Sequence, residues 1–353
     1  MKAPIITILL IAGVFLQTLP LAAQSLSNSV FLKHKEAAER AVQKGLGYLA
    51  SNQQPDGSFG SGYGQSTGIV ALAGMAFLSK GHTPGQGIYS KNLDLCIQYI
   101  LGSQQSNGLL NKGRSGNGVM YAHNISTLFL SECSGMVDPQ TQDKLDQVLS
   151  RATRLILSSQ AVKKSKQHQG GWRYKPDSRD SDLSCSGWAL MALRSAKLNG
   201  APVPDAAIKS SIEYVLRNND KKSGGFGYSG PSGSNTLTGC GLLCLELSGY
   251  HGTELTSRAG DFILQSHQKI IGSGHEIYAN YYNAQAMFQL GGKYWEKYAA
   301  WMYPHYISTQ AANGSWPAKI SPIYGTSMIV LSFSVPYRQL PIYQRDETID
   351  EDS

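Results

Sequence analysis

The sequence predicts an all-α fold, a closed ring of six helical hairpins that is called an α6/α6 toroid. Three observations predict it. A short Gly-containing turn recurs along the chain, a stretch with one apolar face precedes each turn, and a stretch that is apolar on nearly every side follows it. Amphipathic helices cover a core, and helices that are apolar all round lie inside it. The alternation therefore predicts six outer and six inner helices.

Length and composition are consistent with one such domain. The chain has 353 residues, of which 41% are hydrophobic, 9% aromatic and 16% charged, and this composition excludes a disordered chain or a coiled coil. The formal net charge is +7, but the sequence has no block of five or six consecutive basic residues. We therefore expect no nucleic-acid partner.

Both ends of the chain are expected to lie outside the ring. Residues 1–23 combine Lys2, an apolar run and small residues ending at Ala23, which is typical of a cleavable signal peptide. The mature protein is therefore expected to be secreted or periplasmic, with membrane contact only through an uncleaved leader. Residues 24–345 form the single predicted domain. Residues 346–353 hold five acidic residues and no basic one, which predicts a disordered tail.

The outer helices are predicted from apolar residues at helical spacing, first over 38–49 and then over 145–156 and 207–216. The inner helices are predicted where small and apolar residues run without interruption, as over 67–76 and 185–193. The five cysteines lie in such apolar patterns and none has CxxC spacing, so we expect buried side chains rather than a metal site. Any disulfide pairing among them is left open. The five cysteines are Cys96, Cys133, Cys185, Cys240 and Cys244.

Each turn combines a Gln or Asn, a Gly and, in most copies, an aromatic residue. The Gly provides positive φ, an Asp or Asn hydrogen-bonds the turn backbone, and the aromatic residue packs on the neighbouring hairpin. These aromatic residues are therefore expected to be structural. A fifth copy should fall at Gln265 to His275, but that segment lacks the Gly-aromatic ending. The other copies lie at 53–60, 104–109, 160–174, 218–227 and 310–316, with Phe59, Trp172, Phe226 and Trp316 as their aromatic residues.

These turns resemble the QW repeats of squalene–hopene cyclases and the related repeats of protein prenyltransferase β subunits, from about Lys33 to Leu331. The resemblance implies the terpenoid cyclase/prenyltransferase toroid and a central cavity. It implies an activity much less directly, because one fold hosts many functions. The triterpene cyclases have a second toroid domain, for which this chain has no room.

Residues 180–185 are similar to the Asp-x-Asp-Asp-Thr-Ala motif of the cyclases, whose middle Asp protonates the substrate. Asp180 and Asp182 match the first two acids, Leu183 replaces the third, and Ser184 stands in the place of Thr. The resemblance therefore implies Asp182 as the catalytic acid, assisted by Asp180. The residues themselves leave open a second interpretation, in which both acids cap an inner helix and complement its dipole.

The same segment is also similar to the Ser-Arg-Asp-x-x-His segment of the prenyltransferases, but Leu183 occupies the position of the zinc-binding His. The Asp-x-Cys that completes that zinc centre occurs nowhere in the chain. A catalytic zinc needs three protein ligands. We therefore expect no metal and no cofactor.

Polar and aromatic side chains on the inner helices are the candidate substrate-binding residues. Aromatic rings stabilise carbocations, hold an apolar or isoprenoid ligand, or stack on a sugar. Each of them could instead fill the middle of the ring. The candidates are Trp188, Tyr121, His123, Tyr281, Tyr282 and Tyr324.

Three functions follow from the sequence, and whether the protein is an enzyme is left open, as is its oligomeric state. The first is an exported cyclase-like enzyme that acts on or binds an isoprenoid or other lipid. The second is a non-catalytic binding protein, with a cavity or a basic rim at Lys163, Lys164 and Lys166. The third is a polysaccharide-active enzyme, by analogy with other α/α toroids.

Overall fold

A computed structural model describes residues 29–60, 62–115 and 118–343. The predicted signal peptide (1–23) and acidic tail (346–353) lie outside these residues. In the described ranges the chain forms twelve α-helices and no strand, and none of these helices is long and apolar enough to span a membrane.

The helices alternate between an outer and an inner ring, as predicted. The outer helices are α1 (Ser29–Asn52), α3 (Ser90–Leu101), α5 (Pro139–Ala161), α7 (Asp205–Arg217), α9 (Glu254–Ser266) and α11 (Gly292–Ser308). The inner helices are α2 (Thr67–Leu78), α4 (Val119–Cys133), α6 (Leu183–Leu198), α8 (Thr238–Glu246), α10 (Glu276–Leu290) and α12 (Pro322–Ser334). Short 3-10 helices occupy Gly62–Gln65, His267–Ile270, Val335–Tyr337 and Pro341–Tyr343.

The inner helices pack against one another through small residues. Every residue of α2 is buried. A Cβ on Gly187 of α6 would lie 2.4 Å from the Cys240 sulfur of α8, and a Cβ on Gly239 would lie 2.2 Å from the Asn283 side chain of α10. Glycine is therefore required at these two crossings, because any larger side chain would push the inner helices apart. All five cysteines are buried, as their apolar surroundings predicted.

The ring is closed. Each inner helix packs against the next, α12 packs against α2, and α1 packs against α11 and α12. Gln310, just after α11, donates a 2.8 Å hydrogen bond to the carbonyl of Ala41 in α1, which lies 269 residues earlier in the chain. These contacts confirm the α6/α6 toroid.

The glutamine of the repeated turn links consecutive outer helices. In four of the turns its Nε2 donates both to the carbonyl of the turn glycine and to a carbonyl on the next outer helix, the latter at 2.8 to 3.0 Å. The turn glycine lies against the same helix: at Gly170, with φ of +87°, a Cβ would lie 2.1 Å from the Ser210 carbonyl oxygen. The four glutamines are Gln53, Gln104, Gln160 and Gln310.

The turn aromatics are structural side chains, as expected. Phe59, Trp172, Phe226 and Trp316 are all buried. The two indoles also donate to carbonyls of the preceding outer helix, at 2.8 Å and 2.7 Å. These bonds fasten each turn to its own hairpin, and Trp316 also packs against Gly45 of α1 in the neighbouring hairpin, as expected.

The chain after α12 crosses the far end of the ring, where the inner helices end, and we call residues 335–343 the C-terminal strap. Ile342 N–H donates to Glu132 Oε2 at 3.1 Å. Gln289 Nε2 donates to the Tyr343 carbonyl at 2.9 Å, and the Tyr343 hydroxyl bonds the Tyr281 hydroxyl. The strap thus joins α4 and α10 across the ring.

Candidate functional site

Asp182 lies at the head of α6, and one of its carboxylate oxygens caps that helix. The Asp182 N–H donates to the Trp172 carbonyl, which fixes its backbone against the third turn. Oδ1 accepts from Cys185 N–H at 2.9 Å and from Ser184 Oγ–H at 2.5 Å. The capping interpretation therefore describes one of the two oxygens.

The second oxygen of Asp182, Oδ2, has no hydrogen-bond partner among the described residues, although the residue is fully buried. It lies 3.6 Å from Arg173 Nε. Arg173 Nη1 lies in turn 3.3 Å from Asp180 Oδ2, and the Asp180 side chain is 51% exposed. The structure thus brings the two predicted acids to one guanidinium, with Asp182 inside and Asp180 at the surface.

Burial raises the pKa of Asp182, because an ionised carboxylate loses hydration there. The hydrogen bonds from Ser184 and Cys185 and the charge of Arg173 act in the opposite direction on that pKa. Asp182 is therefore a buried carboxyl group whose ionised form is stabilised by Ser184, Cys185 and Arg173. This combination suits a proton donor that must also survive as an anion.

A chain of hydroxyl groups leads from Asp182 to α4. Ser184 Oγ is bonded to both Asp182 Oδ1 and the Tyr121 hydroxyl, each at 2.5 Å. Burial raises the pKa of Tyr121 well above its ordinary value, and the nearby Asp182 charge adds to the effect. The Tyr121 ring stacks on Tyr174 with centroids 5.8 Å apart. Tyr121, one of the predicted substrate-binding residues, is therefore part of the Asp182 site.

Arg173 is held by aromatic rings as well as by carboxylates. Its guanidinium lies 4.7 Å from the Tyr174 ring centroid and 5.3 Å from that of Tyr228, and the two tyrosine hydroxyls bond each other. The sequence reasoning missed these three residues. The available signal was weak: Arg173 follows the Trp of the third turn, and only the antiparallel bridge between Trp172 and Asp182 carries it to the acid.

Three of the predicted binding residues fill the middle of the ring. Trp188 of α6 stacks on Tyr281 of α10 with centroids 5.4 Å apart and an interplanar angle of 17°. Tyr282 lies edge-on to both rings, at 5.5 Å and 5.0 Å. All three side chains are buried. They form an aromatic core below the Asp182 site rather than the wall of an open cavity.

Two further tyrosines lie on the inner helices, Tyr278 on α10 and Tyr324 on α12. Burial raises the pKa of Tyr278 well above its ordinary value, and the nearby Cys240, Tyr121, Tyr324 and Asp182 raise it further. The Tyr278 ring lies 4.9 Å from that of Tyr282, so it packs against the aromatic core. Tyr278 was not named from the sequence.

His123 has a backbone-holding role in the structure. Its Nδ1 accepts from Leu110 N–H at 3.0 Å, and its Nε2 faces the Ala152 carbonyl at 3.2 Å. Burial lowers its pKa to about 4, so the ring is neutral with the proton on Nε2. Since both ring nitrogens are used and the side chain is fully buried, the geometry gives no support to the substrate-binding role that the sequence suggested.

Lys164 is likewise occupied. Its ammonium donates to the carbonyls of Ser159, Gln160 and Val162 at the end of α5, and burial lowers its pKa to about 8. Lys164, the middle lysine of the predicted basic rim, therefore caps the C-terminus of α5 instead of contributing to the rim.

An open cleft of about 440 Å³ lies at the heads of α10 and α12. Its size is that of a small-molecule pocket. The loop before α10 forms one wall and the sixth turn forms the other. Its lining includes Glu276, Ile277, Tyr306, Lys319, Ile320 and Tyr324.

Comparisons with known proteins identify the fold. No family model matches this chain, and no curated protein sequence does. Among solved structures, the type II terpene cyclase MstE from Scytonema, bound to its substrate geranylgeranyl dihydroxybenzoate, is similar with a TM-score of 0.55 and 10% identity. The match covers 88% of this chain and all of the cyclase chain. The apo form of that cyclase is similar with a TM-score of 0.53 and 12% identity over 86% of this chain and all of its own.

The second kind of neighbour is a carbohydrate-active enzyme. The α-1,6-mannanase GH76A of Salegentibacter, an inactive variant with α-1,6-mannotriose bound, is similar with a TM-score of 0.57 and 10% identity. That match covers 85% of this chain and 99% of the mannanase. At this level of identity the likenesses show the fold alone, and they confirm that the chain is an α/α toroid like the terpene cyclases.

Proposed function

We propose that this protein is an exported, acid-initiated cyclase of an isoprenoid, with Asp182 as the catalytic acid. The observation that carries the proposal is Asp182 Oδ2, a buried oxygen left without a hydrogen-bond partner while Oδ1 caps α6. A capping residue needs one oxygen. The second, held 3.6 Å from Arg173 Nε, is the atom that would carry a proton to a ligand.

The chemistry is a proton transfer followed by ring closure. The Oδ2 proton is transferred to one carbon of an alkene, whose π electrons form the new C–H bond and leave a cation on the adjacent carbon. The π electrons of a second alkene close the ring, and loss of a proton from the product cation ends the reaction. The substrate is thereby isomerised, and one proton returns to the protein for each proton supplied.

Arg173 and Asp180 are positioning residues in this scheme. After proton transfer the Asp182 carboxylate is stabilised by the guanidinium at 3.6 Å, by Ser184 and by Cys185. Asp180, bridged to the same guanidinium at 3.3 Å, holds Arg173 in place from the surface. Asp180→Asn is therefore expected to shift the pH profile of the reaction while Asp182 remains able to act.

The aromatic rings supply the second requirement, stabilisation of a carbocation. Tyr121, joined to Asp182 through Ser184, and Tyr278 lie on inner helices, and aromatic faces attract cations by about 0.5–2 kcal/mol each. The type II terpene cyclase with this fold binds an isoprenoid substrate in its structure. An apolar or isoprenoid ligand is the partner that an aromatic interior beside a buried acid would suit.

The test is a product analysis by gas chromatography and mass spectrometry. The mature protein is incubated with squalene and with shorter polyprenyl substrates, beside Asp182→Asn and the control Asp177→Asn, an exposed acid of the same loop. Asn keeps the capping oxygen but supplies no proton. We expect cyclic products from the wild-type and control proteins, and a loss of about 10²–10⁴-fold in Asp182→Asn.

Two outcomes contradict the proposal. Products that form equally in Asp182→Asn would assign the acid elsewhere. A folded protein that binds these isoprenoids and converts none of them would instead be a binding protein on the same toroid. Mass spectrometry of the intact exported protein tests the separate expectation of cleavage after residue 23.

Polysaccharide cleavage is the second candidate function, favoured by the likeness to the mannanase and by the open cleft at Glu276. Glycoside hydrolysis uses two carboxyl groups about 5–10 Å apart. Glu276 is the one acidic residue among the described lining of the cleft. Release of reducing ends from α-1,6-mannan by the wild-type protein, abolished by Glu276→Gln, would favour this candidate over the cyclase.

A further inference from the structure

The two longest connections at the head end of the ring, where the inner helices begin, form one surface. They are the third connection (162–182), between α5 and α6, and the fourth (218–237), between α7 and α8. Gln167 Nε2 of the third donates to the Ser229 carbonyl of the fourth at 3.3 Å, and one tyrosine hydroxyl from each connection bonds the other. A carbonyl of the fourth connection also accepts from the first N–H of α6 at 2.8 Å. The two connections therefore lie side by side at the head of α6.

This surface carries an excess of positive charge. Six basic side chains are exposed, and none of them forms an ion pair with another described residue. Of the acids in the two connections, Asp180 and Asp182 lie beside Arg173. Asp220 accepts hydrogen bonds within its own turn, which leaves Asp177 as the remaining acid. The six basic residues, which we call the basic patch, are Lys163, Lys166, Lys175, Arg179, Lys221 and Lys222.

The far end of the ring is built differently. Lys80, which follows α2, lies 2.8 Å from the Glu39 carboxylate, and Lys197 of α6 is paired with Asp205. Tyr343, the last described residue, is buried at this end, in the C-terminal strap. The chain therefore continues from the end of the ring that is opposite to the basic patch.

The residues that follow Tyr343 carry the charge complementary to the patch, since 346–353, which we call the acidic segment, hold five acidic residues and no basic one. A fully extended chain spans at most about 3.6 Å per residue, so Asp352 lies within about 32 Å of Tyr343. The route around the outside of the ring to the patch of the same molecule crosses two layers of helices, each about 10 Å thick. It then runs the length of an inner helix, about 24 Å for the 16 residues of α6. The acidic segment therefore does not reach the patch of its own molecule.

We propose that the basic patch of one molecule binds the acidic segment of a second copy of this chain. The contact joins the head end of one ring to the far end of the next, so the two surfaces differ and further copies can be added in a row. Because exposed ion pairs are individually weak, the association requires several of them at once and weakens as added salt screens them. The inference goes beyond the proposed function, and no residue of the patch takes part in that chemistry.

A carbodiimide, which joins a carboxylate directly to an adjacent lysine amine, tests which groups are in contact. Mature protein labelled with a heavy isotope is mixed with unlabelled protein at about 20 mM salt, where screening is weak, and cross-linked peptides are identified by mass spectrometry. We expect peptides that join the acidic segment of one isotope to patch lysines of the other. Cross-links from the segment to lysines of its own molecule, such as Lys80 or Lys197 at the far end, in place of the patch would overturn the proposal.

Two complementary full-length variants test the direction of the contact. In the first, Lys166→Glu and Lys221→Glu reverse the charge of two patch residues, and in the second, the five acids of the segment become Asn or Gln. By sedimentation at low salt, we expect the wild-type protein to associate further as its concentration rises, and each variant alone to associate about tenfold more weakly. An equal mixture of the two variants retains one intact patch and one intact segment, so it should form pairs that do not grow further.

The matched control is Lys91→Glu with Lys144→Glu, which makes the same change of charge at exposed lysines of α3 and α5. It should associate like the wild type, and circular dichroism checks that every variant folds. Equal association of the patch variant and the control, or a wild-type protein that stays monomeric at every concentration, would contradict the proposal. A monomer that binds anionic vesicles through Lys166 and Lys221 would assign the patch to a membrane surface instead.

Discussion

Two buried carboxyl groups lie at opposite ends of the inner ring. Asp182 begins α6, where the positive end of the helix dipole favours a negative charge, and it has a guanidinium beside it. Glu132 lies in the last turn of α4, where the dipole disfavours that charge. Its Oε1 accepts from Ser195 Oγ at 2.5 Å and its Oε2 accepts from Ile342 N–H at 3.1 Å.

The difference between them is in how the two oxygens are used. Both oxygens of Glu132 hold structure, one on α6 and one on the C-terminal strap, and burial raises its pKa to about 7. Asp182 uses one oxygen for structure and keeps the other beside a cation. Burial with a raised pKa is common to both sites, so it does not identify an acid site by itself. Between these two carboxyl groups, the unused oxygen and its charged neighbour distinguish Asp182.

The largest expected effect is that of removing the cation at the head of the ring. Arg173→Met leaves Asp182 as a buried charge without its partner, so we expect a loss of about 3–5 kcal/mol in the free energy of unfolding at pH 8. The loss should shrink as the pH falls, because protonation removes the unpaired charge. Urea unfolding across this pH range measures it, with the exposed Arg179→Met as control. A loss independent of pH would mean that Arg173 acts through packing alone.

The next effect concerns the far end of the ring. The pKa of Glu132 is about 7 in the folded protein against an ordinary value of 4.5, so the folded state binds the proton more tightly. Its contribution to stability is complete below pH 4.5 and is lost as the pH rises through 7, a change on the order of 3 kcal/mol. Glu132→Gln should remove this dependence and be the more stable protein at pH 8.

Thermal unfolding from pH 5 to 8 checks the Glu132 prediction. Glu213→Gln, an exposed residue of the outer helix α7, is the matched control. If Glu132→Gln unfolds with the same pH dependence as the wild type, another group is responsible and the contrast between the two ends fails.

The smallest expected effect separates the two oxygens of Asp182. Asn keeps an oxygen that accepts from Cys185 N–H, whereas Ala does not. Asp182→Ala should therefore be less stable than Asp182→Asn by about 1 kcal/mol, the usual value of an N-cap. Denaturant midpoints of the two variants measure the difference. Identical midpoints would show that the capping hydrogen bond contributes nothing to stability. The contrast between Asp182, with one structural oxygen, and Glu132, with two, would then fail.

The ring could be predicted from the sequence because the residue patterns that specify each hairpin are local. The turn residues and the two kinds of helical pattern repeat along the chain, and each repeat specifies the same hairpin. The function of the turn glutamines was not predicted, since their acceptors, such as Val148 for Gln104, lie about one hairpin further along. The sequence instead suggested the aromatic residues as the fasteners, and they are only part of the joint.

Part of the candidate site was named from the sequence. Asp182, Asp180 and Tyr121 were named from the sequence, and the structure brings them together through Arg173 and Ser184. Arg173 itself could not be found, because nothing in its spacing distinguishes it from a solvated base. His123 was named as a candidate substrate-binding residue, and the sequence could not show that Leu110 N–H and the Ala152 carbonyl occupy its two ring nitrogens.

The closed ring also constrains how the protein folds. Gln310 and Ala41 form a joint across 269 residues, and synthesis of that length takes roughly 15–50 s at ordinary rates. During this interval the apolar side of α1 and α2 that will pack against α11 and α12 remains uncovered. Each new hairpin lengthens an incomplete ring whose two ends both expose apolar surface. Contacts of such long sequence separation slow folding, because the loop entropy must be lost before they form. The toroid should therefore gain much of its stability in one late step, when α11 and α12 meet the helices that were made first.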